Sequence, residues 1–289
     1  MGRASGWQAA EEKPVVVLGA GGLLARGLVE TLEEHDYHHV ALGKNSLDIS
    51  YEGRVRAHLR GLNPGMVINA ASYTDIDGAE AASEQAFEVN GAGAGHVARV
   101  AAELDALVVH ISTDFVFDGT EAAPYSPDHN PNPVNIYGKS KLEGERLVRK
   151  ETEKHLIVRA SLLFGPGGKN IVDTLLKGEG APMKLPEDRI VSPTYTRHFA
   201  DGIIRLANKG ARGTFHLANA GQCDLYTFGR EVIRKGNGKI SVYPVHSKSI
   251  KRPAQRILNG ALDCSSAYEL LGSALPSWEA ALGEYIKSR

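Results

Sequence analysis

The chain has 289 residues, enough for one large domain or two modest ones with a sizeable core. Its net charge of −1 gives no sign of a nucleic acid or a membrane surface as a partner. No apolar run approaches the roughly 18 residues of a membrane span, and Cys223 and Cys264 lack metal-ligand spacing. We therefore expect a reduced, cytoplasmic globular protein without a metal site.

The first element is a buried strand over residues 15–18, followed by Gly19-x-x-Gly22-x-x-Ala25 and a helical pattern. Glycines allow a tight turn and a close approach to a pyrophosphate, which a helix N-terminus stabilises. This pattern predicts dinucleotide binding; the alternative is a glycine-rich turn without a ligand. The predicted cofactor contacts in this turn are Gly19, Gly22, Leu23 and Leu24.

Residues 40–42 predict a second strand, and Lys44 follows its end. An acidic residue there would hold a ribose 2′-hydroxyl and favour NAD, whereas a cation accommodates the 2′-phosphate of NADP. Lys44 thus favours NADPH as the cofactor, with NADH still possible; a solvated surface lysine is the alternative. Asp48 and Ile49 are predicted to lie beside the adenine.

A third strand over residues 66–71 ends in small residues, which leave room for a ligand at the carboxyl edge of a parallel sheet. The predicted cofactor contacts here are Ala70, Ala71 and Tyr73, and Thr74 is a predicted substrate contact. Asn90 lies in the following helix-rich crossover and is also assigned to the cofactor site, where it would brace the neighbouring strand. A helix-surface asparagine is the alternative.

The next strand ends at residues 112–114, and a helix opens at Tyr137. Tyr137 and Lys141 share a helix face, and a nearby ammonium lowers the pKa of a phenol from about 10, which suits acid–base chemistry. A chance Tyr-x-x-x-Lys on an exposed helix and a simple strand-end turn are the alternatives. The predicted catalytic residues are Thr113, Tyr137 and Lys141, with Ser112, Tyr137 and Lys141 also predicted to contact the cofactor.

The alternation of strands and helices predicts an α/β fold with a Rossmann-type doubly wound parallel sheet. The chain is less regular after residue 160, which indicates a smaller C-terminal α/β substrate lobe with the site between the lobes. We predict a disordered lead-in at residues 1–13, a dinucleotide-binding domain at 14–160 and a mainly substrate-binding lobe at 161–289. Some segments of that lobe are expected to return to the Rossmann sheet.

Several motifs follow one another in a specific order: Gly19-x-x-Gly22, Leu47-Asp48-Ile49, residues 67–74 with Asp77 and Ala79-Glu80, Asn90, residues 111–114, residues 116–120, residues 135–141 with Gly144-Glu145, residues 192–195, residues 213–217 and Arg252-Pro253. Their order and spacing resemble those of extended short-chain dehydrogenases/reductases, most closely the dTDP-4-dehydrorhamnose reductase family. The resemblance covers nearly the whole chain from Val15.

The resemblance implies NAD(P)H-dependent reduction of the 4-keto group of a nucleotide-linked deoxysugar, as in the formation of dTDP-L-rhamnose for cell-wall polysaccharide. Tyr137 would protonate the new alkoxide, Lys141 would lower the pKa of Tyr137 and bind the nicotinamide ribose, and Thr113 would orient the ketone. Related dehydratases carry a second acid where this chain has Phe115, which favours a reductase. A homodimer is a further expectation from the family.

Two positions depart from the family pattern: Leu162 replaces a tryptophan that would pack against the sugar nucleotide, and Phe115 replaces a tyrosine. A different keto-sugar, a different base or weakened activity would each fit these changes. Arg252 is predicted to pair with the diphosphate, a surface cation being the alternative. The predicted substrate contacts are Thr74, Asp114, Phe115, Leu162 and Arg252.

Two other functions stay open. The first is a non-catalytic, NADP-binding regulatory subunit resembling the methionine adenosyltransferase β subunit, which shares several motifs with this chain. The intact Thr113, Tyr137 and Lys141 favour the enzyme, and the missing tryptophan at Leu162 favours the binding protein. The second is a reductase of a ketone that carries no nucleotide.

Overall fold

The structure is a computed structural model that describes residues 13–178 and 182–289. The predicted disordered lead-in lies, apart from Lys13, outside the described residues. Among the helices of the described ranges, none combines the length and the apolar character that crossing a bilayer requires.

The strands alternate with helices over the first half of the chain, as the sequence predicted. In the described ranges the strands are β1 (Val15–Leu18), β2 (His39–Leu42), β3 (Met66–Asn69), β4 (Leu107–Thr113), β5 (His155–Ala160), β6 (Leu163–Phe164), β7 (Met183–Pro186), β8 (Ile190–Val191), β9 (Thr194–Tyr195), β10 (Gly213–His216), β11 (Cys223–Asp224), β12 (Val242–Val245) and β13 (Asn259–Gly260). The α-helices are α1 (Leu23–Glu34), α2 (Glu52–Leu62), α3 (Ile76–Ala81), α4 (Ser83–Phe87), α5 (Ala94–Glu103), α6 (Ile136–Glu151), α7 (Ile171–Lys177), α8 (Thr196–Asn208), α9 (Leu225–Gly236), α10 (Ser265–Leu271) and α11 (Trp278–Lys287).

The main sheet has six parallel strands in the order β10-β5-β4-β3-β1-β2. All four side chains of β1 are buried, because helices cover both faces of the sheet. Val15 and Val17 pack on the side of α1 and α8, whereas Val16 and Leu18 pack on the side of α2 and α5. The alternate side chains of β1 therefore pack into two separate hydrophobic cores, one on each face of the sheet. Because the strands are parallel, the carboxyl ends of β1, β3 and β4 lie at the same edge of the sheet.

The second half of the chain forms a smaller lobe of short strand pairs and helices. β12 pairs with β7, β6 pairs with β9, and β11, β8 and β13 form a three-stranded sheet. A third core joins these elements around Phe164, Phe228 and Trp278. α8 and β10 also follow residue 160, yet they belong to the layers of the main sheet. The division at residues 160 and 161 stays a prediction.

Several short elements of this lobe were not predicted from the sequence, among them β7 and α10. β7 lies in a segment punctuated by glycine and proline, and its pairing with β12 joins Met183 to Val242 across a long stretch of chain. α10 is a seven-residue helix that ends at Gly272 in the left-handed conformation, with φ of 83°. Both are short, so their local patterns are weak.

Candidate active site

A cleft of about 810 Å³ opens along the carboxyl edge of the main sheet and extends to the smaller lobe. Side chains from the glycine turn, the ends of β3 and β4, the start of α6 and the segments around residues 162 and 252 line it. Every predicted site residue except Asn90 borders this cleft. Residues far apart in the sequence therefore meet in one cavity, although their individual roles stay predictions.

The glycine turn fits a dinucleotide pyrophosphate. Gly19 has a φ of +88°, and a Cβ atom there would lie 2.7 Å from the Ala71 nitrogen, so a larger residue would not fit. Gly22 is the N-cap of α1 and offers no side-chain hydrogen bond to the helix. The first N–H groups of this 12-residue helix thus stay available for an anion.

Lys44 and Asp48 both line the cleft, after the end of β2. The Lys44 Nζ is 4.0 Å from Asp48 Oδ2, and the Lys44 side chain is 71% exposed. Burial raises the pKa of Asp48, but hydrogen bonds from Ser50 and the charge of Lys44 outweigh it and hold that pKa below its ordinary value. Lys44 is therefore a largely exposed cation whose near partner is the Asp48 carboxylate.

Asn90 is the one predicted contact that does not border the cleft, and its assignment to the cofactor site stays a prediction. Its Oδ1 accepts hydrogen bonds from Ser72 Oγ at 2.9 Å and from the Tyr73 N–H at 2.8 Å. Its Nδ2 donates to the Tyr73 carbonyl and to Ser140 Oγ. Three of these bonds go to the residues after β3 and the fourth goes to α6, so the side chain braces the site. Its oxygen and its amide hydrogens are then all used, and none is left for a cofactor.

The start of α6 places Tyr137 beside the end of β4. The N-cap Asn135 accepts a hydrogen bond from the Gly138 N–H at 2.8 Å. A Cβ atom on Gly138 would lie 2.1 Å from the Phe115 carbonyl, so only glycine allows this close approach. The Tyr137 phenol lies beside Thr113, and the Phe115 ring meets the Tyr137 ring edge-on with 5.7 Å between the ring centres.

The pKa of Tyr137 shifts in the direction opposite to the prediction. Burial raises it to about 12, the nearby charge of Asp114 adds to the rise, and the hydrogen bond with Thr113 opposes it. The expected lowering by Lys141 is absent, because the Lys141 Nζ donates to the Ile111 carbonyl at 2.6 Å. The phenol consequently holds its proton at neutral pH, as a proton donor requires.

Lys141 is 3% exposed, and burial lowers its pKa to about 8, although the charge of Glu145 opposes that change. Glu145 is fully buried one helical turn further on. It accepts hydrogen bonds from Ser112 Oγ at 2.6 Å and from Arg159 at 2.8 and 2.7 Å. This network joins α6, β4 and β5 next to Lys141.

Arg159 extends the network toward the smaller lobe. It contacts the His216 Nε2 at 3.2 Å, and the His216 Nδ1 lies 3.0 Å from the Tyr125 carbonyl. Burial and the charge of Arg159 lower the pKa of His216 to about 3, so this histidine is neutral.

The end of the cleft beside Phe115 contains the predicted residue Asp114 and an arginine, Arg189, that the sequence did not reveal. Asp114 is 3% exposed and accepts hydrogen bonds from Thr113 at 2.9 Å and from Ser161 at 2.8 Å. The guanidinium of Arg189 lies 5.5 Å from the centre of the Phe115 ring. Its buried Nε has no hydrogen-bond partner among the described residues, although a buried donor ordinarily has one.

Two further arginines border the same end. Arg256 forms a bidentate ion pair with Asp77, whereas Arg252 makes no such pair in the described part of the chain. Burial lowers the pKa of Arg189 to about 10, and the positive charges of Arg256 and Arg252 add to this lowering, whereas the charge of Asp114 opposes it. The unpaired guanidiniums of Arg189 and Arg252 favour an anionic ligand here. Arg189 and Arg256 have no local motif that would have marked them.

Leu162 also borders the cleft, and its φ of +38° is unusual for a residue other than glycine. Its carbonyl accepts a hydrogen bond from the Thr194 N–H at 3.0 Å, which links the ends of β6 and β9. The side chain packs partly against the core of the smaller lobe. It provides apolar surface at the position where the family's tryptophan is expected.

A family described as "RmlD substrate binding domain" matches residues 13–289, nearly the whole chain. The chain belongs to this family. The predicted family and the predicted α/β Rossmann-type fold are therefore confirmed.

Relatives of this family share the chain's full length. The spore coat polysaccharide biosynthesis protein SpsK of Bacillus subtilis is 34% identical over 95% of this chain and 97% of its own. The dTDP-4-dehydrorhamnose reductase of Mycobacterium tuberculosis is 34% identical over 95% of this chain and 92% of its own. The crystal structure of dTDP-4-dehydrorhamnose reductase from Bacillus anthracis, in complex with NADP, has a TM-score of 0.92 and 33% identity over 96% of this chain and 99% of its own.

Proposed function

We propose that the protein is an NADPH-dependent oxidoreductase that reduces the 4-keto group of a nucleotide-linked deoxysugar, in particular dTDP-4-dehydro-L-rhamnose to dTDP-L-rhamnose. The observation that carries the proposal is the position of Tyr137. Its protonated phenol faces the cleft beside Thr113, between the glycine turn at one end and the unpaired arginines at the other. This is the arrangement that ketone reduction requires.

The residues of the glycine turn and the edge of β3 fit the nicotinamide dinucleotide. Gly19 and Gly22 would admit the pyrophosphate to the N-terminus of α1. Ser112, Tyr137 and Lys141 would contact the nicotinamide and its ribose. When bound, NADPH supplies the hydride that reduces the keto carbon.

The protein's own residues act on the keto oxygen. Thr113 and Tyr137 hold that oxygen, and Tyr137 gives it the phenolic proton as the hydroxyl group forms. Lys141 is buried with its Nζ donating to the Ile111 carbonyl, and its part in the proposed reaction is the contact with the nicotinamide ribose. Phe115 covers the Tyr137 ring and excludes water from the proton-transfer site.

Replacing Lys44 with alanine is expected to raise the KM for NADPH about tenfold and to leave the KM for NADH within about twofold, because one charge-assisted contact to the 2′-phosphate is lost. Steady-state kinetics with both cofactors measure the change. Lys150→Ala, which removes an exposed lysine far from the cleft, is the control. Equal changes for the two cofactors would show that Lys44 does not contact the 2′-phosphate.

Replacing Arg252 with alanine is expected to raise the KM for the nucleotide sugar by about 10- to 100-fold and to change kcat much less. The guanidinium stabilises the diphosphate equally in the ground state and the transition state, so its loss weakens binding. Kinetics at saturating NADPH provide the measurement, with the neighbouring Lys251→Ala as the matched control. An unchanged KM would exclude a diphosphate contact by Arg252.

The regulatory-subunit hypothesis is not favoured. The Thr113, Tyr137 and Lys141 side chains are all present and meet at the cleft, and the named full-length relatives above include reductases. A stoichiometric complex with a methionine adenosyltransferase in a pull-down, together with no turnover of any keto-sugar, would reverse this preference. Inhibition by free dTDP would count against the other alternative, a reductase of ketones that carry no nucleotide.

Several finer points stay predictions. The nucleotide-linked sugar follows from the family, but Leu162 bears on which keto-sugar and which base are accepted. The homodimer is a prediction that light scattering coupled to size exclusion tests. The cytoplasmic location is likewise a prediction, and so are the expected absences of nucleic-acid, membrane and metal binding.

A further inference from the structure

The hydroxyl group of Thr113 is fully committed in this structure. It donates its one hydrogen to Asp114 Oδ1 at 2.9 Å and accepts the Phe115 N–H at 3.2 Å. Tyr137 lies beside the same hydroxyl group and borders the same cleft. A hydroxyl group has one donor and two acceptor sites, so Thr113 has no hydrogen left for a substrate ketone, which is only an acceptor.

An ionised Asp114 and a ketone-binding Thr113 are therefore incompatible. We propose that Asp114 is a positioning residue that carries a proton during turnover and donates it as a hydrogen bond to Thr113. The Thr113 oxygen then accepts from Asp114 and from the Phe115 N–H, and its own hydrogen points to the keto oxygen. This inference rests on the proposed ketone reduction, and the proton stays on Asp114 throughout.

The same exchange frees Tyr137. Once both lone pairs of Thr113 are occupied, the phenol has no acceptor on Thr113 and turns its hydrogen to the substrate. The keto oxygen then receives two hydrogen bonds, one from Thr113 and one from Tyr137, which is the arrangement that stabilises the developing negative charge. A protonated Asp114 thus makes both hydroxyl groups available as donors to the substrate.

The surroundings of Asp114 support a neutral carboxyl group. A Cβ atom on Gly260, in β13, would lie 2.4 Å from Asp114 Oδ2, so that side has no room for water. Ser161 at the end of β5 contributes a hydroxyl group and no charge. Burial is the largest influence on the pKa of Asp114 and raises it.

Charged groups face Asp114 from two other elements. Tyr137 on α6 is neutral while it holds its proton. Arg189, just before β8, is the cation that favours the ionised carboxylate. A substrate phosphate bound by Arg189 would neutralise that charge, so substrate binding itself favours uptake of a proton by Asp114.

Infrared difference spectra of the complex with NADP⁺ and dTDP-L-rhamnose test the protonation state directly. We expect a carboxylic-acid C=O band at neutral pH that Asp114→Asn removes. Asp118→Asn is the matched control because Asp118 lies outside the cleft in the same segment, and we expect it to keep the band. Calorimetry first establishes that the sugar nucleotide binds. Binding without the band would overturn this inference alone, whereas no binding would overturn the proposed function as well.

The pH dependence of kcat/KM provides a second test. We expect wild-type activity to fall as pH rises and Asp114 ionises. In the Asp114→Asn variant the new side-chain amide still donates to Thr113 and does not ionise. We therefore expect kcat/KM of this variant to show no such decrease at high pH, and its maximum value to be up to about tenfold lower than that of the wild type. Ser161→Ala removes a donor to the ionised form and is expected to move the fall roughly one pH unit higher. Lys141, whose pKa is about 8, also changes its charge in this pH range, but Ser161 does not contact it. If the decrease of kcat/KM occurred at the same pH in the wild type and in both variants, the result would contradict the inference.

Discussion

Replacing Tyr137 with phenylalanine is expected to lower kcat by about 10²-fold or more and to leave NADPH binding within about threefold. The substitution removes the phenolic proton and keeps the aromatic ring that packs against Phe115. Stopped-flow or steady-state loss of NADPH absorbance measures kcat, and fluorescence titration measures NADPH binding. The ring contact predicts that the variant keeps its fold.

Tyr51→Phe is the control for this experiment, because Tyr51 is exposed and lies outside the cleft. It should retain wild-type activity. If Tyr137→Phe kept more than about one tenth of the activity, another group would have to supply the proton. Lys141 would be the next candidate, since burial brings its pKa to about 8.

Replacing Glu145 with glutamine is expected to lower the free energy of unfolding by about 3–5 kcal/mol, because Arg159 is left as an uncompensated buried charge. Glu145 and Arg159 are both almost completely buried and share two hydrogen bonds. Denaturant unfolding measures the loss. Glu143→Gln, on the same helix, removes a partner of the exposed Arg146 and should change stability by less than about 1 kcal/mol.

Acid should weaken the same network in the wild-type protein. Hydrogen bonds and charge from Arg159 outweigh burial and lower the pKa of Glu145 to about 2, so its contribution is present above pH 4.5, its ordinary pKa, and is lost as pH falls toward 2. Burial lowers the pKa of His216 to about 3, so its contribution declines as pH falls from 6.5 toward 3. Unfolding midpoints measured across this range should fall steadily, and less steeply in Glu145→Gln. A flat profile would contradict the buried ionised pair.

The fold was predictable wherever burial leaves a clear local pattern. β1 is covered on both faces, so its sequence is a continuous apolar run from which the strand could be predicted. The turn after it could be predicted from Gly19, because no other residue fits at that position. Tyr137 and Lys141 could be paired because helix periodicity places them on one face. β7 and α10 were missed because they are short and depend on partners distant in the chain.

The electrostatics of the site could not be predicted from spacing alone. Lys141 is four residues from Tyr137, but its Nζ donates to the Ile111 carbonyl. Burial and the charge of Asp114 therefore determine the pKa of the Tyr137 phenol and raise it. Asn90 turns toward the edge of β3 rather than the cleft. Arg189 enters the site from a segment with no motif. In each case the decisive contact joins elements that only the tertiary fold brings together.

The central claim is that this cleft reduces a nucleotide-linked 4-keto-sugar. The most direct test incubates the full-length protein with NADPH and dTDP-4-dehydro-L-rhamnose and follows loss of NADPH absorbance together with NMR identification of the sugar. We predict stoichiometric oxidation of NADPH and formation of dTDP-L-rhamnose, with both lost in Tyr137→Phe. Binding of NADPH and of the sugar nucleotide without any turnover would contradict the claim.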